Sequence, residues 1–204
     1  DTPTGYFAPT DWAYMDAHDQ DLGGTAPVLF DLPANGTTGP MALALGKDGK
    51  AYLLDRSHLG GFGGDLVSQL VSPGPIRGSA AAMPVGNSEF VAFQSNGTNC
   101  PNGEGKGVTA IKVSAAPMAI TTAWCAAIDG RGSPIVTTTD GRANPVVWIL
   151  GAEGDNRLYA FRGDTGEKLF ESAPLPGLQH FQTLIATPHH LYVAAENDLY
   201  SFSF

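Results

Sequence analysis

A chain of 204 residues with 15 % charged residues, 26 glycines and 15 prolines is long enough for one sizeable core. It has too few charges for many solvent-facing helices. Its formal net charge of −9 argues against nucleic acid as a partner, because no basic patch is there to neutralise phosphates.

The opening segment, DTPTGYFAPTDW, is polar and carries no signal-peptide pattern, so Asp1 reads as a processed end or as a point inside a longer precursor. No apolar run further along approaches the roughly 20 residues of a membrane span. Period-two alternation between Gly, Pro and Asp turns predicts short strands throughout and hardly a helix. They group as 26–32, 41–45, 51–55 and 66–71, then 79–83, 90–94, 108–113 and 120–124, then 134–138, 146–150, 157–162 and 168–171. A last group has three strands, 183–186, 191–195 and 198–204. Residues 5–8, ahead of the first group, are available as the missing outer strand of the last one. Pairing the two ends of the chain would remove a sheet edge.

A phrase recurs through this succession. GDNRLYAFRGDTGEKLF at 154–170 joins a Gly/Asp/Asn turn, an aromatic-aliphatic strand, a second Gly turn and another strand. Shorter forms stand at 47–61, 105–114 and 197–204. Taking Ala51, Val108, Leu158 and Leu199 as equivalent, the intervals are 57, 50 and 41 residues. Strand repeats of about that period are the mark of β-propeller blades. The expected fold is therefore all-β: a single domain, 1–204, of about four blades with four antiparallel strands each.

The segment from Ala160 to Phe170 resembles the repeat of the pyrroloquinoline-quinone (PQQ, quinoprotein dehydrogenase-like) propeller family, which runs Ala-x-Asp-x-x-Thr-Gly-x-x-x-Trp. Ala160, Thr165 and Gly166 match, while Arg162 replaces the Asp and Phe170 the docking Trp. Asp55 keeps the Asp in the first blade. The lead-in from Gly46 to Tyr52 and the stretch from Asp19 to Leu29 are also similar to that family. The resemblance implies seven or eight blades in a complete ring. Four blades are then either a closed ring of an unusual member or half of a larger one.

Cys100 falls in a loop and Cys125 at a strand end of the second blade, on the same face of the disc because strands alternate direction. A disulfide between them is the expected arrangement, with two buried thiols as the alternative. A disulfide implies an oxidising, extracytoplasmic compartment, periplasmic or secreted. On the same face Lys47, Arg77, Arg131, Asp155 and Arg157 are candidate ligand-binding residues. Arg offers a two-pronged donor to a carboxylate. The alternative is that such residues bond turn carbonyls and neighbouring Asp side chains. Asp16, Asp19 and Asp21 are candidate calcium ligands through hard carboxylate oxygens. They lack EF-hand spacing, and capping of turns is the competing role.

No Gly-x-Ser-x-Gly elbow, zinc-binding His-Glu-x-x-His or phosphate-cradling loop is present. Nor is there the adjacent cysteine pair that the resemblance associates with a quinone site. The expected function is a non-catalytic extracytoplasmic propeller, a scaffold or a protein- or ligand-binding module, with a protein or its own remaining blades as partner. The alternative is a quinone-dependent dehydrogenase or a piece of one, using PQQ and calcium, with Asp19 or Asp21 as base.

Overall fold

The computed structural model of the protein describes residues 5–34, 37–101, 103, 105–180 and 184–203. Parts of the expected strands at 26–32 and 41–45 extend further than expected, and Thr183 and Phe204 lie outside the described residues. The elements are β1 (Phe7–Ala8), α1 (Trp12–Ala17), β2 (Val28–Ala34), β3 (Thr37–Leu45), β4 (Lys50–Asp55), β5 (Gly61–Phe62) and β6 (Val67–Leu70). Then come β7 (Ala81–Val85), β8 (Ser88–Ser95), β9 (Gly107–Ala115) and β10 (Met118–Ala127). The rest are β11 (Ile135–Thr137), β12 (Val146–Leu150), β13 (Leu158–Arg162), β14 (Lys168–Glu171), β15 (Leu184–Ala186), β16 (His190–Ala194) and β17 (Leu199–Ser203).

These strands form four consecutive meanders: β2-β3-β4-β6, β7-β8-β9-β10, β11-β12-β13-β14 and β15-β16-β17. All pairings within them are antiparallel. The innermost strands stand side by side, β2 against β7, β7 against β11 and β11 against β15. This is the architecture of successive β-propeller blades.

Middle strands are covered on both faces, so they read as nearly unbroken apolar runs and not as strict alternation. Tyr52, Leu53 and Leu54 are all buried, as are Phe90 through Phe93. The outer strands β6, β14 and β17 lie more open, with every residue of β14 exposed. Three apolar clusters fill the spaces between blades. Leu43, Leu53, Phe93 and Ile111 join the first and second; Met83, Trp124, Ile149 and Phe161 the second and third; Leu150, Leu158, Leu191 and Val193 the third and fourth. None of these three clusters joins the fourth blade to the first.

The N-terminal segment departs from expectation. Phe7–Ala8 does not supply the outer strand of the fourth sheet; it pairs in parallel with Gly61–Phe62, beside the first blade. Aromatic contacts hold it there. Tyr6 meets Phe62 edge to face at 5.5 Å between ring centres, and Phe7 meets Tyr52 at 5.5 Å. The short helix α1 follows, burying Met15, and Lys50 pairs with Asp11 at 3.3 Å. The fourth sheet, among the described residues, keeps β17 as an edge. No helix among the described residues is long and apolar enough to cross a membrane.

Cys100 and Cys125 are joined by a disulfide with a Cα–Cα distance of 5.6 Å. The segment just before Cys100 reaches the first blade. Thr98 donates from its backbone to Val71 O (3.1 Å) and from its hydroxyl to Leu70 O (3.0 Å), while Thr122 donates to Thr98 O at 2.6 Å. Gly97 has φ of 56° there, and a Cβ on it would press on both sulfurs.

Candidate functional site

The connections between blades bring the chain back beside the innermost strands. Arg77, Arg131 and His180 hold the same place in three successive connections, four residues ahead of Ala81, Ile135 and Leu184, where β7, β11 and β15 begin. All three line one cavity of about 270 Å³, together with Gln94 of β8. A neighbouring cavity of about 350 Å³ shares Gln94 and Arg131 and adds Lys106, Asp129 and Glu153.

Backbone hydrogen bonds fix these connections to one another. Gly78 N donates to Gly24 O at 3.0 Å, and Ser79 N donates to Ser133 Oγ at 3.0 Å. Arg131 N donates to Ala152 O at 2.8 Å. At Gly130, φ is 122° and a Cβ would collide with the backbone of Gly151, so only glycine lets the two turns approach this closely.

The five expected ligand-binding residues divide. Arg77 and Arg131 come together in the cavity, and neither forms an ion pair among the described residues. Lys47 is engaged elsewhere, with Nζ 2.6 Å from Asp19 Oδ1 and 3.1 Å from Asp21 Oδ1. Asp155 accepts the Tyr159 hydroxyl and, at 3.2 Å, the Arg157 backbone N–H. Arg157 donates to Ser172 O at 2.6 Å and pairs with Glu171 at 3.4 Å. Those three side chains serve turns and neighbouring strands.

The Lys47 ammonium bridges two of the three expected calcium ligands, Asp19 and Asp21. Among the described residues no group of three or more His, Cys, Asp or Glu side chains stands ready for a metal ion. The hydrogen bond from Lys47 and its charge hold the Asp19 carboxyl below the usual range, with a smaller contribution from Arg77. Asp19 is thus an ion-paired carboxylate at the surface.

Around the cavity, His180 Nδ1 contacts Glu153 Oε1. That bond, more than the charge of Arg131, keeps the Glu153 carboxyl below its ordinary pKa. Gln94 and Lys106 were not among the expected site residues. A signal existed for the place itself: Arg-Gly-Ser occurs twice, at 77–79 and 131–133, each time just before an innermost strand.

No protein-family model matches the chain, and no curated protein matches it in sequence. Among solved structures it is similar to BamB from Moraxella catarrhalis at 19 % identity and a TM-score of 0.50, over 86 % of this chain and 47 % of that one. It is also similar to the β-propeller domain of Myceliophteria thermophila Cps50 (Swd1) at 15 % identity and a TM-score of 0.55, over 100 % of this chain and 58 % of that one. A quinohemoprotein alcohol dehydrogenase from Comamonas testosteroni matches with a TM-score of 0.48 at 17 % identity, over 83 % of this chain and 33 % of its own. The chain spans about half the length of the first two structures. At these identities they speak to the fold alone, and that fold is a β-propeller.

Proposed function

We propose that the chain is a non-catalytic binding module of an extracytoplasmic propeller, and that its partner is a protein surface completing the fourth sheet, first of all further blades of the same ring. One observation carries this reading. The fourth sheet has an open edge at β17 among the described residues, where Leu199 is 69 % exposed, and Ile185 of β15 in the same sheet is 64 % exposed. An open edge beside exposed apolar side chains is what strand addition covers. The Cys100–Cys125 disulfide supports an oxidising compartment.

Intact mass and chain composition of the protein isolated from its source provide the test. The expected result is a longer product or a second chain that co-purifies and protects the β17 amides from hydrogen exchange. A monodisperse 21.2 kDa monomer with β17 already protected would overturn the reading.

The resemblance to PQQ-dependent enzymes leaves a dehydrogenase as the second reading. The ion pairing of Asp19 with Lys47 speaks for the first. Dye-linked alcohol oxidation after addition of quinone and calcium separates the two, and the binding module stays inert.

A further inference from the structure

We propose that the cavity between Arg77 and Arg131 is a binding site for a small ligand bearing an oxyanion, a carboxylate or a phosphate. The inference goes beyond the docking role, since it concerns the blade connections and not the open edge of the fourth sheet.

Charge distribution is the first argument. The protein carries a net charge of −9, and Lys47, Lys50, Arg56, Arg157, Arg162 and Lys168 are each ion-paired. Arg77, Lys106 and Arg131 form no ion pair among the described residues, yet they gather around two adjoining cavities. In an acidic molecule, free cations held close together repel one another. Their energy falls when an anion sits between them.

The second argument is how the arginines are held. Their positions are set by the same Arg-Gly-Ser sequence in consecutive connections, and those connections are hydrogen-bonded to each other through Ser79 and Ser133. The two guanidinium stems therefore start from a fixed frame, and less freedom is lost on binding. Two guanidinium groups offer paired N–H donors suited to the oxygens of carboxylate or phosphate.

The lining sets the ligand class. Gln94 contributes an amide able to donate or accept, and His180 stands on the third connection. Among the described residues no carboxylate lines this cavity; of the two in the adjoining one, Glu153 is taken up by His180 and Asp129 is exposed. A volume of about 270 Å³ suits a compact ion or a small acid.

Calorimetric titration of the chain alone, at low ionic strength, tests the proposal with inorganic phosphate in one arm and succinate in the other. Saturable binding of at least one probe is expected, and the arm that responds identifies the oxyanion. Arg77→Gln and Arg131→Gln should each weaken it roughly tenfold or more, whereas Lys112→Gln on the exposed part of β9 should not. Thermal midpoints establish that the variants are folded. Arg77 has no ion pair to lose, so its substitution gives the readout even if Arg131→Gln unfolds the chain. No saturable heat from either probe up to about 10 mM, or binding unchanged in folded Arg77→Gln, overturns the proposal. Because the titration uses the isolated chain, its outcome is independent of whether further blades complete the ring.

Discussion

The Tyr52 hydroxyl donates to Asp48 Oδ2 at 2.6 Å, and the same carboxylate accepts the Lys50 backbone N–H at 3.1 Å through Oδ1. Two blades later Tyr159 and Arg157 treat Asp155 in the same way. The repeated unit is therefore a clasp: an aspartate that ends one turn and holds a tyrosine four residues on, where the strand enters the core. Its parts are legible as Asp-x-Lys/Arg-x-Tyr in both turns.

Removing the hydroxyl leaves a half-buried carboxylate short of one donor. Tyr52→Phe and Tyr159→Phe are each expected to cost about 1–3 kcal/mol, measured as a lower urea midpoint with unchanged slope. Tyr192→Phe, with its ring stacked on exposed His190, serves as the comparison and should change little.

The clasps also have an alkaline signature. Burial, followed by the neighbouring Asp48, raises the Tyr52 hydroxyl far above the ordinary tyrosine range; burial and Asp155 do the same for Tyr159. A folded-state pKa above the unfolded one contributes stability in full below about pH 10. That contribution is lost as pH rises further toward the folded value. Absorbance titration near 295 nm should show a first tyrosinate step near pH 10 whose amplitude is the same in the wild type and in Tyr52→Phe. A smaller first step in the variant would mean that Tyr52 ionises normally.

Glu89 provides a test near neutrality. It lies on β8 opposite Pro84 and Val113 and is 8 % exposed. Burial pushes its carboxyl up to about 7, against the opposing charge of Arg142. Its contribution is present in full below the ordinary glutamate value and fades as pH rises through about 7. Urea midpoints should therefore fall between pH 5 and pH 8, and Glu89→Gln should remove that part of the fall.

Trp124 donates its indole N–H to Gly163 O at 2.8 Å, across the boundary between the second and third blades. Gly166, with φ of 74°, lies so close beneath the ring that a Cβ would stand 2.7 Å from it. Gly166→Ala combines an unfavourable backbone with this collision and should cost about 2–4 kcal/mol. For a chain of this size that lowers the thermal midpoint by several degrees and alters tryptophan fluorescence. Gly86→Ala, also at positive φ but with open space around its Cβ, should cost only the backbone share.

Reduction of the disulfide closes the set. The sequence separation of 25 residues predicts a loss of about 3–4 kcal/mol in the chain-entropy model. Equilibrium unfolding with and without reductant, and of the Cys100→Ser/Cys125→Ser double variant, measures it. A change below about 1 kcal/mol would mean that the loop is held without it.

Strand grouping could be read from the chain because turn residues and alternation are local signals. Short units such as those around Tyr52 and Tyr159 carry turn, clasp and buried strand together. The parallel pair Phe7–Ala8 with Gly61–Phe62 could not be read, since two residues of strand have no periodicity and their aromatic partners lie far along the chain. Trp124 escaped for another reason. The Ala115–Met118 turn and a register shift between Thr122 and Trp124 carry it out of step with the repeat. The docking position of the repeat falls on Phe170, which does reach the next blade, at 6.1 Å from Phe202 between ring centres, while 40 % exposed. The meeting of Arg77 with Arg131 depends on how blades stack, and no single blade encodes that.

The stacking also gives the molecule a direction. The second and third sheets are each gripped by apolar clusters on two sides, and the first is tied to the second through Thr98, two residues before the disulfide-bonded Cys100. The fourth sheet is gripped by one cluster only. In a row of units stabilised by their neighbours, the unit with one neighbour opens first. Melting should therefore run as a zipper from Ser203 back toward the first blade. The C-terminal sheet would be lost while the first two blades, joined by their shared cluster and by Thr98, still hold.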